Sequence, residues 1–142
     1  MVDTYHIFFK KEVVFVDIGK LVQDYKLKKE LEGRLSGKLM VIKNIIDSLN
    51  LAARISPVRE KIDSNIERLQ GEFQRYYSQG SEQITKEVWD RLNPAIEEYG
   101  KKNNYRIIVG ANGVGTVLYG AKANDITNEL LVYVNQRYEK GN

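Results

Sequence analysis

The side chains able to do chemistry are few and scattered. His6 is the only histidine, and the chain has no cysteine. A metal such as zinc needs several His, Cys or carboxylate groups converging, and nothing is spaced near His6 to join it. The missing cysteines also remove disulfides, thiolate ligands and thiol nucleophiles. Residues 110–115 read GANGVG. No Lys follows Gly115 as a phosphate loop requires, and the dinucleotide fingerprint needs a different glycine spacing and a helix next. A tight turn between strands is the better reading. The carboxylate pairs Glu97 with Glu98 and Asp125 with Glu129 sit in solvated or capping contexts, and no nucleophile–base pair is indicated. The sequence therefore assigns no catalytic residue, no metal and no cofactor.

Composition narrows the class further. The 142 residues suit one domain or one body with an appendage, and with 29% charged residues and only two prolines disorder is a poor reading. A net charge of +3 is mild, so a nucleic-acid-coating protein is not indicated. No run of about 18 apolar residues crosses a membrane. The start MVDTYHIFFKK has a short apolar patch, but no basic region before it and no small-residue cleavage site, so it is not a complete signal peptide.

What could position a functional surface is the order of elements. Glu12–Gly19, EVVFVDIG, is β-branched and aromatic and reads as a buried strand. From Lys20 to about Leu51 the pattern is helical. Leu21, Tyr25, Leu35, Leu39, Ile42, Ile46 and Leu49 fall on a heptad grid, with Lys28 and Glu32 on the same grid. Ser56-Pro57 then opens a second helix, with Ser as N-cap and Pro at the first helical position. It runs to about Lys102 along Val58, Ile62, Ile66, Leu69, Phe73, Tyr76, Ile84, Val88, Leu92, Ala95 and Tyr99. Gly80 brings a stutter that locally unwinds a supercoil, and Pro94 predicts a kink.

Facing residues of an antiparallel hairpin have a constant index sum. Leu35 with Phe73, Leu39 with Leu69, Ile42 with Ile66 and Ile46 with Ile62 share one value, and Leu49 with Val58 is one short of it. Lys28 with Gly80 and Glu32 with Tyr76 extend the series. One adjustable quantity, the turn position near Arg54, aligns them all and predicts a coiled-coil hairpin.

After it, Tyr105–Val109 alternates as a strand, and Asn112-Gly113 has the composition of a type I′ turn. Val117 and Tyr119 continue a return strand. Thr127 is a candidate N-cap of a terminal helix, and Ile126 with Leu131 has the spacing of a hydrophobic staple. The fold class expected is thus α+β: a small β body from residues 1–20 and 103–142, and a long antiparallel helical hairpin arm over 21–102. A body of about 60 residues is near the lower limit for folding alone, so oligomerisation is the simplest way to complete its core. Val14, Val16, Ile107, Val109, Val117 and Tyr119 are its candidate contact residues.

VVFVDIGKLVQDYKLKKELE and YRIIVGANGVGTVLYGAKANDITNELLVYVNQRYEKG together resemble the Skp/OmpH family of chaperones, with the Gly-rich turn, the LY strand, the D-I-T helix start and the terminal N-x-x-Y. The chain also resembles the short-armed members found in Bacteroidetes-type bacteria. The resemblance implies a jellyfish-like homotrimer and a periplasmic location with the signal peptide removed. It also implies ATP-independent holding of unfolded outer-membrane proteins. A cytoplasmic location stays open on the sequence alone.

For such a role the arm residues matter. Residues 34–75 hold eight Lys and Arg against five Asp and Glu, the whole positive excess of the chain. Arg54, Arg59, Lys61 and Arg68 are the candidate client contacts, with Tyr76 and Tyr77 beside the seam. Opposite-charge steering favours acidic clients, with anionic lipid headgroups as a second partner class. The alternative function is a non-catalytic trimerisation or scaffold module that binds one defined partner.

Overall fold

The computed structural model describes residues 12–141; His6 and the start of the chain lie outside them. The order is strand β1 (Val13–Asp17), helix α1 (Ile18–Asp24), helix α2 (Lys26–Ala53), helix α3 (Arg59–Lys102), strand β2 (Ile107–Ala111), a 3-10 turn (Lys122–Asn124) and helix α4 (Thr127–Glu139). It is a mostly helical architecture with one small sheet. The chain divides into two compact units, residues up to Lys29 with those from Val88 onward, and Glu30–Glu87. Glu30–Glu87, called the outer unit below for its place in the expected arm, falls within the 21–102 span of the sequence reading.

In the first unit β1 and β2 pair in parallel, Val13 with Ile107 through Asp17 with Ala111. The other edge of β1 is held by the 124–127 segment. Phe15 bridges to Asp125, the Ile126 amide donates to the Phe15 carbonyl at 3.0 Å, and the Asn124 side-chain carboxamide donates to the Val13 carbonyl at 2.9 Å. Val14 and Val16 alternate into the core with Leu21, Tyr25, Val88, Leu92, Ala95, Ile126, Leu130 and Val134. Each fully buried aliphatic side chain in such a core stabilises by about 1.5–3 kcal/mol.

Several expectations need correction here. Two strands form among the described residues, not three. Residues after Ala111 do not return as a strand: Tyr119 is 88% exposed and Val117 half-buried. Asn112 keeps a negative φ while Gly113 is positive, so no type I′ turn forms. The Asn112 carboxamide oxygen instead accepts from the Val114 amide and the Thr116 hydroxyl, each at 3.0 Å, which closes the loop locally. The loop is pinned at its far end, where Gly120 lies so close to the Phe15 ring that a β-carbon there would sit 2.3 Å from it.

The first helix also starts earlier and breaks. Asp17 caps α1 by accepting from the Lys20 amide at 3.0 Å, so Gly19 lies inside the first turn. Tyr25 is extended, with ψ 122°, between α1 and α2. The Asn135 carboxamide supplies the hydrogen bonds the break removes. It accepts from the Lys26 amide at 2.8 Å and donates to the Asp24 carbonyl at 3.2 Å. Tyr25 is buried edge-on against Tyr138, with centroids 6.1 Å apart, and Lys26 pairs with Glu139.

Thr127 is not an N-cap either. It is the first residue of α4, and its hydroxyl accepts from the Asp17 amide at 2.9 Å while donating to Asp125. The Asp125 carboxylate in turn accepts from the Thr127 amide at 3.0 Å. At the other turn, α3 begins at Arg59 rather than Pro57, and the Ser56 hydroxyl accepts from the Val58 amide at 3.2 Å. Helix α3 continues through Pro94 without interruption. It closes in a Schellman arrangement: Asn104 has φ +58°, its amide bonds to the Lys101 carbonyl, and the Tyr105 amide bonds to the Gly100 carbonyl.

Candidate functional site: the helical hairpin

The outer unit is built from the distal part of α2, the turn 54–58 and the first part of α3. Ile66, Leu69, Ile84 and Ala53 are buried, and Leu35, Leu39, Ile42, Ile46, Ile62 and Phe73 are half-buried. The apolar stripes therefore lie on the covered side of both helices.

The register differs from the sequence pairing. Leu35 packs on Gly80, where an added β-carbon would sit 2.6 Å from its Cδ1. The sequence pairing put Phe73 there, and gave Gly80 to Lys28. The shift is seven residues, one heptad, and a heptad shift maps each stripe onto itself. Constant index sums cannot distinguish the two registers. Carried along both helices at helical spacing, the Leu35–Gly80 contact sets Ile42 level with Phe73 and Ile46 level with Leu69. It also gives Ala53, absent from the sequence stripe, a reason to be buried, and leaves Val58 57% exposed outside α3.

The four candidate basic residues fall into two kinds. Arg59 pairs with Asp63 at 3.8 Å and Arg68 with Glu72 at 2.9 Å, both one turn along α3. Arg54 and Lys61 are exposed and join no ion pair among the described residues. Arg54 and Arg59 line an open cleft of about 730 Å³ beside the turn, with Asp47, Asn50, Leu51, Ala53 and Asp63. Tyr76 and Tyr77 are both exposed, and the Arg75 guanidinium lies 5.7 Å from the Tyr76 ring centre. The structure thus gathers Arg54 and Arg59 at the turn, and leaves Lys61, Arg68 and the tyrosines spread along α3. Met40, Val41, Ile45 and Leu51 on α2 are exposed large apolar residues that the sequence reading left unassigned. Their heptad positions, away from the seam, were the available signal.

In the first unit, the expected body contacts also separate. Val14 and Val16 are spent on the chain's own core, whereas Ile107 and Tyr119 are exposed, and Val109 and Val117 are half-buried. An open groove of about 380 Å³ runs past Ile107 and Ile108 toward Ile96 and Tyr105. Nearby, the Tyr133 hydroxyl hydrogen-bonds Glu98 and, with Lys102, holds its carboxyl below the ordinary range. Glu98 pairs with Arg137 at 3.0 Å, which ties α3 to α4, and with Lys102 one turn along α3 at 3.4 Å. Burial pushes the Tyr25, Tyr99 and Tyr105 hydroxyls up from their usual value, so they stay neutral. Among the described residues no group of three His, Asp or Glu could hold a metal, and no helix is long and apolar enough to cross a membrane.

No curated protein matches the chain. The family model described as outer membrane protein (OmpH-like) matches residues 58–134, which takes in α3, β2, the glycine-rich loop and most of α4. That family is one of non-enzymatic periplasmic chaperones that bind unfolded outer-membrane proteins. With more than half of its length matched, the chain belongs to the OmpH-like family.

Proposed function

We propose that this protein is an ATP-independent holding chaperone of the periplasm, which keeps unfolded outer-membrane proteins between the helical arms of a homotrimer. The family match over residues 58–134 carries the reading. The outer unit adds support of its own. It exposes Met40, Val41, Ile45, Leu51, Ile55, Val58, Tyr76 and Tyr77, a large apolar surface for a soluble unit of this size. Shallow apolar contacts next to mobile charges suit a binder that must hold many sequences and release them without fuel, because linked weak sites gain avidity while each dissociates easily. The trimer is supported by Ile107, Val114, Leu118 and Tyr119, all exposed around a two-stranded sheet.

The test is suppression of aggregation when a denatured outer-membrane β-barrel protein is diluted from urea. At stoichiometric trimer and without nucleotide, light scattering should fall to near the client-free baseline. A chain that leaves scattering unchanged yet binds one folded partner tightly is a scaffold module instead.

A further inference from the structure

The two helices of the outer unit present unlike surfaces. Between Gly33 and Ala53, α2 carries Arg34, Lys38 and Lys43 against Asp47 alone, and Glu30 and Glu32 balance them only at the other end of the unit's share of the helix. Over Arg59–Glu87, α3 carries Arg59, Lys61, Arg68, Arg75 and Lys86 against Glu60, Asp63, Glu67, Glu72, Glu82 and Glu87. The positive excess that the sequence places on the outer hairpin therefore belongs to α2 and to Arg54 in the turn. Arg34 is engaged by Glu30, but Lys38 and Lys43 join no ion pair among the described residues.

The same helix carries exposed apolar residues. Met40 is 54% exposed, Val41 59%, Ile45 45% and Leu51 62%. With Leu35, Leu39, Ile42 and Ile46 on the covered side, helical spacing puts these four on an arc away from it in two stations, Met40 with Leu51 and Val41 with Ile45. The arc runs about 16 Å along the helix from Met40 to Leu51. Lys38 and Lys43 border it, and Asp47 is its one acidic member.

We propose that α2, rather than α3, is the primary client-docking face, and that it favours unfolded segments in which apolar residues alternate with acidic ones. This rests on the holding-chaperone reading and names the segment class. Charge complementarity selects the acid: two uncommitted ammonium groups flank the apolar arc, and such charges steer encounter and suppress basic partners. The shape of the arc selects an unfolded chain over other occupants. Asn44, Asp47 and Ser48 interrupt it, so it offers no unbroken heptad seam to a second copy of the helix. Two free lysines are too few for a membrane, where basic clusters of about four to eight are the rule. Separate apolar stations of one or two residues match the alternate side chains of an extended segment.

The experiment uses the full chain and two short fluorescent peptides, both unstructured, with Leu and Tyr alternating with Glu in one and with Lys in the other. Anisotropy at physiological salt should show the acidic peptide bound ~10-fold tighter than the basic one. Met40→Ser/Val41→Ser/Ile45→Ser should lose ~10-fold in affinity for the acidic peptide, and Lys38→Gln/Lys43→Gln should erase the preference between the two. Tyr76→Ser/Tyr77→Ser on α3 should change it less than ~2-fold. Circular dichroism and sedimentation accompany each variant. Both lysines are exposed, so their variant keeps the test decisive if the triple variant unfolds. Equal binding of the two peptides, or a larger loss from the tyrosine variant, overturns the proposal. So does a smaller assembly for the folded triple variant, which would make the arc a contact between copies. Capture by phosphatidylglycerol vesicles with no peptide binding would make it a lipid surface. If the docking idea fails while the parent still holds a denatured barrel protein, only this inference falls. If peptides bind as expected but no barrel protein is held, the chaperone reading falls.

Discussion

Asn104 shows how one backbone position fixes a boundary. It sits at φ +58° and closes α3 by the paired bonds to Lys101 and Gly100. Left-handed backbone costs a side chain about 1–2 kcal/mol, least for Asn. Asn104→Gly should therefore stabilise by a few tenths to about 1 kcal/mol, and Asn104→Val should destabilise by about 1–2 kcal/mol, read from urea midpoints at unchanged slope. Asn135 is a stronger case, because its carboxamide replaces the backbone bonds lost at Tyr25. Asn135→Leu removes both, leaving the Lys26 amide to solvent and the Asp24 carbonyl unpaired in a partly buried place. The expected loss is about 1–3 kcal/mol, and a loss below about 0.5 kcal/mol would show that water substitutes freely.

The elements raise a question that residues alone do not, which register α2 and α3 adopt. The chain lacks cysteine, so paired substitutions report it cleanly. Leu35→Cys/Gly80→Cys should oxidise readily to an intrachain disulfide, because the two positions meet. Leu35→Cys/Phe73→Cys should not, as a seven-residue offset along a helix is about 10 Å. Rapid oxidation of the second pair and none of the first would restore the register with Lys28 at Gly80. Ile42→Asp belongs at this scale too. In the observed register it places a carboxylate at the level of Phe73, and should reduce the helix signal of the outer unit. The β1–β2 unit has its own core in Val14, Leu21, Leu92 and Leu130, and should keep its near-ultraviolet signature.

For the molecule as a whole, pH and salt separate two contributions. Glu98 has its pKa lowered by Tyr133, Lys102 and Arg137. A carboxyl depressed in the folded state adds stability above its unfolded pKa and loses it as pH falls through the folded one. Thermal midpoints should therefore be level from neutral pH to about 5 and fall below the ordinary carboxylate range near 4. Glu98→Gln should flatten that fall. Salt acts on the outer unit instead. Exposed charges are screened over about 8 Å at physiological ionic strength, so client capture should weaken with added salt but keep an apolar part. Capture that vanishes entirely at high salt would leave Met40, Val41 and Ile45 without a role. Sedimentation at micromolar concentration should report a trimer; a stable monomer would remove the enclosed arrangement and leave the hairpin to act alone.

The sequence by itself determined the elements that carry a strong period. The stripe Ile84, Val88, Leu92, Ala95 is buried as spaced, β1 alternates as its β-branched residues require, and the two long helices end close to their expected limits. The family was legible from the C-terminal block, which the family match covers as far as residue 134, although why that block looks as it does was not. The Asp125-Ile126-Thr127 start proved to be a clasp on β1, and Asn135 with Tyr138 a support for the break at Tyr25. Each of these bonds spans more than a hundred residues of sequence, so no local pattern encodes it. The heptad register stayed open for another reason: a repeat of seven is unchanged by a slip of seven, and only the fit of Leu35 into the space left by Gly80 selects one answer. The return strand failed because a strand needs an edge to pair with. Alternation and Asn-Gly can be read along one chain, but a partner for residues 117–119 exists only where the tertiary structure provides one.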